Sequence, residues 1–301
     1  MGIFSGLKAQ LNAQKAYKLQ SSDLTSPEAQ RLYEEAIADG LSDPRYLLGY
    51  TTLLVRSGQY EKAKEFLIRI QKVQMGPDQK NTLFINYAAC CLKLGEVDKG
   101  IRLLERQHQH GASGRVYQTL GVLYVEKFDM ERQPDFDALD EAARQAALEA
   151  AQAEADQADQ ADQAEANQAD ANQAEANQAE AEAPAQPSAR EKWQAELEKA
   201  LAFEKEAVEY DDEDPISLDN LGQFYYRCLG DRDAAKEWFD KAIEQKETQI
   251  DTLWFLSRYD LDRGDTAAAV AKLKKAAEGR PSPLNYASRE RIEDELKRLG
   301  G

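Results

Sequence analysis

Four stretches of this 301-residue chain are written to one pattern, and that repetition constrains the fold more than any other feature. They are 44–76 (PRYLLGYTTLLVRSGQYEKAKEFLIRIQKVQMG), 81–112 (NTLFINYAACCLKLGEVDKGIRLLERQHQHGA), 215–247 (PISLDNLGQFYYRCLGDRDAAKEWFDKAIEQKE) and 250–281 (IDTLWFLSRYDLDRGDTAAAVAKLKKAAEGRP). Each reads as an apolar-periodic helix, a turn holding glycine, and a second helix. The turns fall at Ser57-Gly58-Gln59-Tyr60, Leu94-Gly95-Glu96-Val97, Gly230-Asp231-Arg232-Asp233 and Gly264-Asp265-Thr266. Glycine closes a helix there because it takes positive φ without a Cβ clash.

The second helices show the periodicity best. Ala63, Leu67 and Ile70 recur at i, i+4 and i+7, which lines one helical face. Ala235, Phe239 and Ala242 repeat the spacing, as do Ala269, Leu273 and Ala276. Gly100, Leu104 and Gln107 fill the same slots less well. A small residue in the first slot lets two helices approach closely, and Gly100 there costs roughly 1 kcal/mol of helix propensity against alanine.

These residues resemble the tetratricopeptide (TPR) repeat, a helix-turn-helix unit of about 34 residues. The resemblance rests on Leu221-Gly222 with Tyr225, Leu120-Gly121 with Tyr124, the Gly-x-Tyr-Glu-Lys-Ala run at Gly58–Ala63, and Pro281 closing its unit. It covers roughly residues 3–128 and 197–282, and the layout is similar to small, uncharacterised bacterial TPR proteins. The implied fold is all-α: a right-handed α-α superhelix of about six helical hairpins. The first hairpin is a poorer copy, with Leu7, Leu11 and Tyr17 on one helix and Ala29, Tyr33 and Ala36 on the other, behind a Ser26-Pro27-Glu28 start signal. A polar-faced helix from Asn285 to Leu299, with Ser288 as N-cap, reads as the C-terminal cap that repeat arrays need.

The fourth hairpin is interrupted. Its first helix carries Val116, Tyr117, Leu120, Gly121 and Tyr124, but the second appears only at Leu197–Tyr210, with Ala200, Phe203 and Ala207 on the expected face. The expected organisation is therefore N-terminal hairpins at 1–128, an acidic insertion at 129–196, and C-terminal hairpins with the capping helix at 197–301, forming one solenoid. The charge of −17 is concentrated accordingly. Residues 129–214 hold 26 acidic and six basic residues, a net −20, while the remainder, with 32 basic and 29 acidic, carries +3. The centre, Gln145–Ala189, has no basic or aromatic residue and a single leucine, Leu148. Such a stretch cannot build a core, so a mobile segment with nascent helix is expected, bounded by Pro184 and Pro187, between regular helices at Phe136–Leu148 and Arg190–Tyr210. Closing a long loop costs only logarithmically more than closing a short one, so the fold tolerates the insertion.

Little in the sequence points to chemistry. His108 and His110, the only histidines, sit at i and i+2 and point to opposite sides of a helix, so they do not share a metal. Cys91 lies on a buried face beside Tyr87 and Ala88, while Cys90 and Cys228 read as lying near helix ends or sides; none forms a C-x-x-C pair. The odd count suits free thiols in a reducing compartment, so a cytoplasmic location is expected. No phosphate-binding loop or nucleophile elbow occurs, and Asp211-Asp212-Glu213-Asp214 lacks the glycine-turned geometry of a calcium loop. No secretory signal or membrane-spanning stretch is legible, and Gly6 stands where an acylation motif has Ser or Thr. The expectation is a protein without enzymatic activity, cofactor or metal. The acidic balance also argues against nucleic-acid and membrane partners.

What remains is a surface. The first helices of stacked hairpins line a concave side. Register places Arg45, Thr52, Arg56, Asn86, Lys93, Arg115, Gln118, Asn220, Gln223, Arg227, Trp254 and Arg258 toward it, with Leu48, Ile85, Ala89, Val122 and Asp219 between them. The Lys/Asn clamp by which some TPR domains grip a terminal carboxylate is absent: the corresponding slots hold Leu48, Thr52, Ile85, Ala89, Gln118 and Val122. Asn86 and Asn220 stand where the resemblance implies contact with a peptide backbone. The leading expectation is an adaptor that holds a peptide or protein segment in this groove. Two alternatives stand beside it: a repeat protein that self-assembles, and a regulatory module whose acidic insertion competes for the groove's arginines. Partner identity and oligomeric state are open at this point.

Overall fold

Helix starts fall where the sequence supplies both a cap and a rigid first turn. In the computed structural model, which describes residues 3–111, 113–165 and 187–301, proline opens four helices at Pro27, Pro44, Pro77 and Pro215. Side-chain oxygens of Ser26, Asp43, Asp214, Asp231, Asp265 and Ser288 accept from backbone N–H groups one turn in. Each of these residues satisfies a donor that the helix leaves orphaned, typically stabilising the start by ~1 kcal/mol. The acidic run 211–214 thus ends in a helix cap.

The chain divides into two compact units, residues 1–131 with 200–301, and residues 132–199. In the first, α1 (Ile3–Ser22) pairs with α2 (Pro27–Ala38), α3 (Pro44–Arg56) with α4 (Tyr60–Ile70), and α5 (Pro77–Lys93) with α6 (Val97–Gln109). α7 (Gly114–Phe128) is followed by a short 3-10 turn at Met130–Arg132. α8 (Phe136–Glu165) and the start of α9 (Ala189–Tyr210) belong to the second unit. Back in the first unit, the end of α9 packs on α7 through Phe203 against Tyr117 and Tyr124, with ring centroids 5.3 Å apart in both pairs. α10 (Pro215–Gln223) runs into a π-helical turn at Phe224–Leu229 and pairs with α11 (Arg232–Gln245); α12 (Ile250–Asp262) pairs with α13 (Thr266–Glu278), and α14 (Arg289–Arg298) packs on α13. There is no strand among the described residues. This is an α-solenoid.

The glycine turns close as the sequence indicates, Gly58, Gly95, Gly230 and Gly264 having φ between +69° and +78°. Gly100 is explained by packing: a Cβ there would lie 2.5 Å from Leu123 Cδ2, so the weak helix former is what lets α6 meet α7.

Neighbouring first helices are tied by polar links about one repeat apart. Asn86 Nδ2 donates to Thr51 and Thr52 Oγ1, both at 3.0 Å; Asn220 Nδ2 donates to the Gln118 carbonyl at 2.9 Å; Thr252 Oγ1 donates to Asp219 at 2.5 Å. Ion pairs add to these ties: Lys62 of α4 with Glu34 of α2, Lys64 of α4 with Glu96 just before α6, Arg232 of α11 with Asp262 at the end of α12, and Lys275 of α13 with Glu247 in the α11–α12 corner.

Four readings need correction. α1 does not pack through Leu7, Leu11 and Tyr17, which are exposed; it packs through Ala9, Ala13 and Ala16, whose small side chains allow a closer crossing with α2. Cys90 and Cys228 are buried like Cys91. The helix beginning at Phe136 does not stop at Leu148 but runs to Glu165, alanine-rich and without a buried side chain beyond its first residue among those described. The rest of the expected mobile stretch, including Pro184, lies at 166–186, outside the described residues. Finally, the stretch from Asn285 to Leu299 is helical only from Arg289 onward.

In the second unit, α8 and the start of α9 meet over Phe136 and Trp193, whose centroids are 5.9 Å apart, with the Arg190 guanidinium 4.7 Å from the Phe136 ring. Asp140 accepts from Ala189 N at 2.6 Å, and Ser188 and Glu191 form a reciprocal cap.

One buried acid opposes this packing. Glu204 of α9 is fully buried against Gly121 of α7, and neither carboxyl oxygen has a hydrogen-bond partner. Burial pushes its carboxyl up to about 8. Between the ordinary glutamate range and pH 8 the folded chain holds a proton that the unfolded chain has released, so folding loses stability as pH rises through that window. We predict that Glu204→Met gains stability over the parent progressively from about pH 4.5 to 8. The gain levels off above that range. Urea unfolding across pH measures it, and a pH-independent difference would overturn the assignment.

Candidate functional site

The concave side of the first unit holds a cavity of about 460 Å³. Its walls come from α3 (Thr52, Val55, Arg56), α5 (Ile85, Asn86, Ala89), α7 (Arg115, Gln118, Thr119, Val122) and α10 (Ile216, Asp219, Asn220). These positions line one face because the solenoid turns the same stripe of each first helix inward. The far wall is the α11–α12 corner, with Lys246, Thr248, Gln249, Ile250 and Asp251. A strap formed by residues 279–288, between α13 and α14, supplies Arg280, Ser282, Pro283, Leu284 and Asn285.

The strap closes one side of the groove and leaves it partly open. Asp251, buried on α12, accepts from Asn285 Nδ2 at 2.9 Å, Tyr286 N at 3.1 Å and Ala287 N at 2.9 Å. Leu284 packs against the apolar cluster of the N-terminal hairpins. Arg56 Nη1 donates to the carbonyl of Pro281 at 3.1 Å, joining positions 225 apart in sequence. Tyr286 stacks on Phe255 with centroids 5.1 Å apart and lies 4.1 Å beneath the Arg227 guanidinium.

Two carboxyls, Asp219 and Asp251, lie buried side by side in the wall. Burial raises both above the usual carboxylate range, and the Asp251 charge raises Asp219 further. The strap's three donors oppose the rise at Asp251. Asp219 accepts from Thr252 and from Gln223 at 2.8 Å.

Of the twelve residues placed toward the groove by register, the structure brings six into the cavity: Thr52, Arg56, Asn86, Arg115, Gln118 and Asn220. Arg45 lies on a shallower surface beside α1, its guanidinium 4.4 Å from the Tyr46 ring. Lys93 ends α5, exposed and outside the lining. Trp254 is buried, with Arg258 4.3 Å and Arg291 5.0 Å from its ring, and Arg258 pairs with Glu295 at 2.5 Å. Gln223 and Arg227 are also buried, and Arg227 pairs with Glu126 at 2.8 Å and Asp129 at 2.6 Å instead of facing the groove. The π turn explains the last case. One extra residue in a turn rotates the following side chains by about 100°, which carries Arg227 off the stripe that regular register assigns it. Conversely, Lys246, Asp251, Arg280 and the strap were not legible as cavity residues, because they lie in corners that repeat register does not index.

The remaining reactive side chains are engaged in packing. His108 sits between Tyr117 and Phe203 at 4.8 and 5.4 Å. Burial pushes the Cys90 thiol up to about 12 and raises Cys91 and Cys228 as well, so each is held as an unreactive thiol. Among the described residues no cluster of three metal-ligating side chains occurs, and no helix is long and apolar enough to cross a membrane.

Solved structures share this architecture. A thermophilic TPR protein of Thermus thermophilus, TTC0263, matches 85% of this chain and 98% of its own, with a TM-score of 0.53 at 18% identity. The chain has the TPR fold. A human IFIT1 dimer with PPP-AAAA matches 95% of the chain with a TM-score of 0.55 at 17% identity, and the match spans 53% of the IFIT1 chain. No protein-family model and no curated protein matches the sequence. At these identities the likeness is one of fold.

Because Asp251 holds the strap through three hydrogen bonds to a charged acceptor, each of a kind that stabilises by roughly 1.5–3 kcal/mol, Asp251→Ala should free it locally. We predict at least tenfold faster hydrogen exchange at the Tyr286 and Ala287 amides, with helical content retained. Unchanged protection there would mean that apolar contacts alone hold the strap.

Proposed function

We propose that this TPR-fold protein is a non-enzymatic scaffold that holds an extended segment of another protein in the strapped cavity. The observation that carries this reading is the lining itself. Four consecutive first helices present aliphatic side chains (Val55, Ile85, Val122, Ile216) interleaved with amides and hydroxyls (Thr52, Asn86, Gln118, Asn220) toward one partly open cavity. Aliphatic contacts with a few placed polar groups suit a polypeptide, whose backbone needs hydrogen-bond partners and whose side chains need apolar cover.

The PPP-AAAA bound by human IFIT1 raises a nucleic-acid alternative. The lining speaks against it here. Single strands are held by bases stacking on aromatic rings, and among the described residues no aromatic side chain lines the cavity. Self-assembly and competition by the acidic insertion have no comparable observation in their favour.

The test is directional. A photo-reactive residue placed at Val122, half-buried in the cavity wall, should cross-link a polypeptide in the native host, whereas the same residue at Glu65, exposed on α4, should not. Equal labelling from both positions, or labelling of RNA from Val122, would defeat the proposal.

A further inference from the structure

The cavity carries more positive charge than the protein neutralises. Four cations line it: Arg56, Arg115, Lys246 and Arg280. Arg115 donates to Thr82 Oγ1 at 3.0 Å and Arg56 to the Pro281 carbonyl at 3.1 Å, both neutral acceptors. Lys246 and Arg280 are exposed, and their side chains have no hydrogen-bond or ion-pair partner among the described residues. The carboxyls in the wall offset this only in part, since burial raises both above the usual carboxylate range and no cation of the lining pairs with either among the described residues. Asp251 is taken by Asn285, Tyr286 and Ala287, and Asp219 by Thr252 and Gln223.

Arg56 and Arg280 are the centre of this imbalance. The bond from Arg56 to Pro281 sets its guanidinium one residue from Arg280. Both arginines line this cavity and also an adjoining shallow one, formed with Ser21, Ser22, Asp23, Leu24, Thr25 and Tyr60. Asp23 is the carboxylate nearest to hand in that lining, and its Oδ1 already accepts from Thr25 N and Thr25 Oγ1 at 3.0 and 3.2 Å. Burial, together with the neighbouring Arg280 charge, holds Arg56 below the usual guanidinium range. Two adjacent guanidiniums repel, and the strap nevertheless brings them together where the cavities meet. An anion between them would relieve the repulsion, and guanidinium forks bind carboxylates in a bidentate manner.

We infer that Arg56 and Arg280, assisted by Lys246 and Arg115, form a carboxylate site that selects acidic peptide segments. This rests on the groove reading and adds a specificity to it. The site is built by closure: Arg56 comes from the second hairpin and Arg280 from the strap after the last. A phosphate group offers related charge, and Tyr60 lines the adjoining cavity beside both arginines, but no aromatic ring among the described residues lines the cavity that holds all four cations, so the site is assigned to a peptide carboxylate.

Selection from a randomised twelve-residue peptide display library, against the full-length protein at low salt, tests the inference. The selected peptides should carry Asp or Glu at one recurrent position. Synthetic copies should lose at least tenfold in affinity against Arg56→Ala or Arg280→Ala, and more against Arg280→Glu, with the loss shrinking at high salt as charges are screened. Arg280 is exposed and unpaired, so its variants should melt with the parent and report on binding alone. Copies with free and amidated C-termini tell a terminal from a side-chain carboxylate, either of which supports the site. Enriched peptides without an acidic position, or acidic peptides indifferent to both arginines, would overturn the carboxylate site while leaving the groove reading intact. No enrichment at all would overturn both. Binding of 5′-triphosphorylated tetra-adenylate that depends on Arg280, without peptide enrichment, would replace the peptide with a nucleic acid.

Discussion

Two helices can cross closely only where at least one is thin, and this fold is built on that constraint. Each second helix presents a small residue at its crossing point: Ala29, Ala63, Gly100, Ala200, Ala235 and Ala269, all buried. The larger side chains one turn on, such as Leu67, Leu104, Phe239 and Leu273, then fill the space beside the crossing. A β-carbon more or less at these points decides how closely neighbouring helices meet, as the 2.5 Å approach that a Cβ at Gly100 of α6 would make to Leu123 of α7 shows. The polar ties between first helices act after this step. They fix the rotation of one hairpin on the next, and so decide which stripe of each helix faces inward.

Much of this was legible in advance because it is periodic. The glycine turns, the caps and the small-residue slots recur at a fixed interval, and a recurrent signal can be read from sequence alone. The exceptions are instructive. In α1 the leucines carry the stronger hydrophobic signal, yet the alanines are buried, because close approach outweighed the burial of larger side chains at the end of the array. In the region 145–165, composition argued for nascent structure, while the alanine and glutamine content sustains a continuous helix to Glu165.

The cavity was half legible for the same reason. Thr52, Arg56, Asn86, Arg115, Gln118 and Asn220 follow from register, since they occupy equivalent positions in successive units. Arg227 breaks the register because a π turn has no periodic signature, and its guanidinium ends in an internal ion-pair network with Glu126 and Asp129. The strap residues lie beyond the last repeat. Asp251 recruits them through geometry that only the folded chain supplies, and no local pattern in the sequence marks it as an anchor.

The strap has a bearing on how the molecule comes apart. Arrays of this type behave as one-dimensional systems, in which each unit senses only its neighbours and terminal units fray first. Here the segment after α13 touches the second hairpin through Arg56 and the N-terminal cluster through Leu284, so the last hairpin and the N-terminal ones are no longer independent. Losing the last hairpin also strips cover from the N-terminal cluster, and loosening the second hairpin removes a hold on the last. A linear stack thereby acquires some of the all-or-none character of a globular domain, with melting propagating from both ends at once.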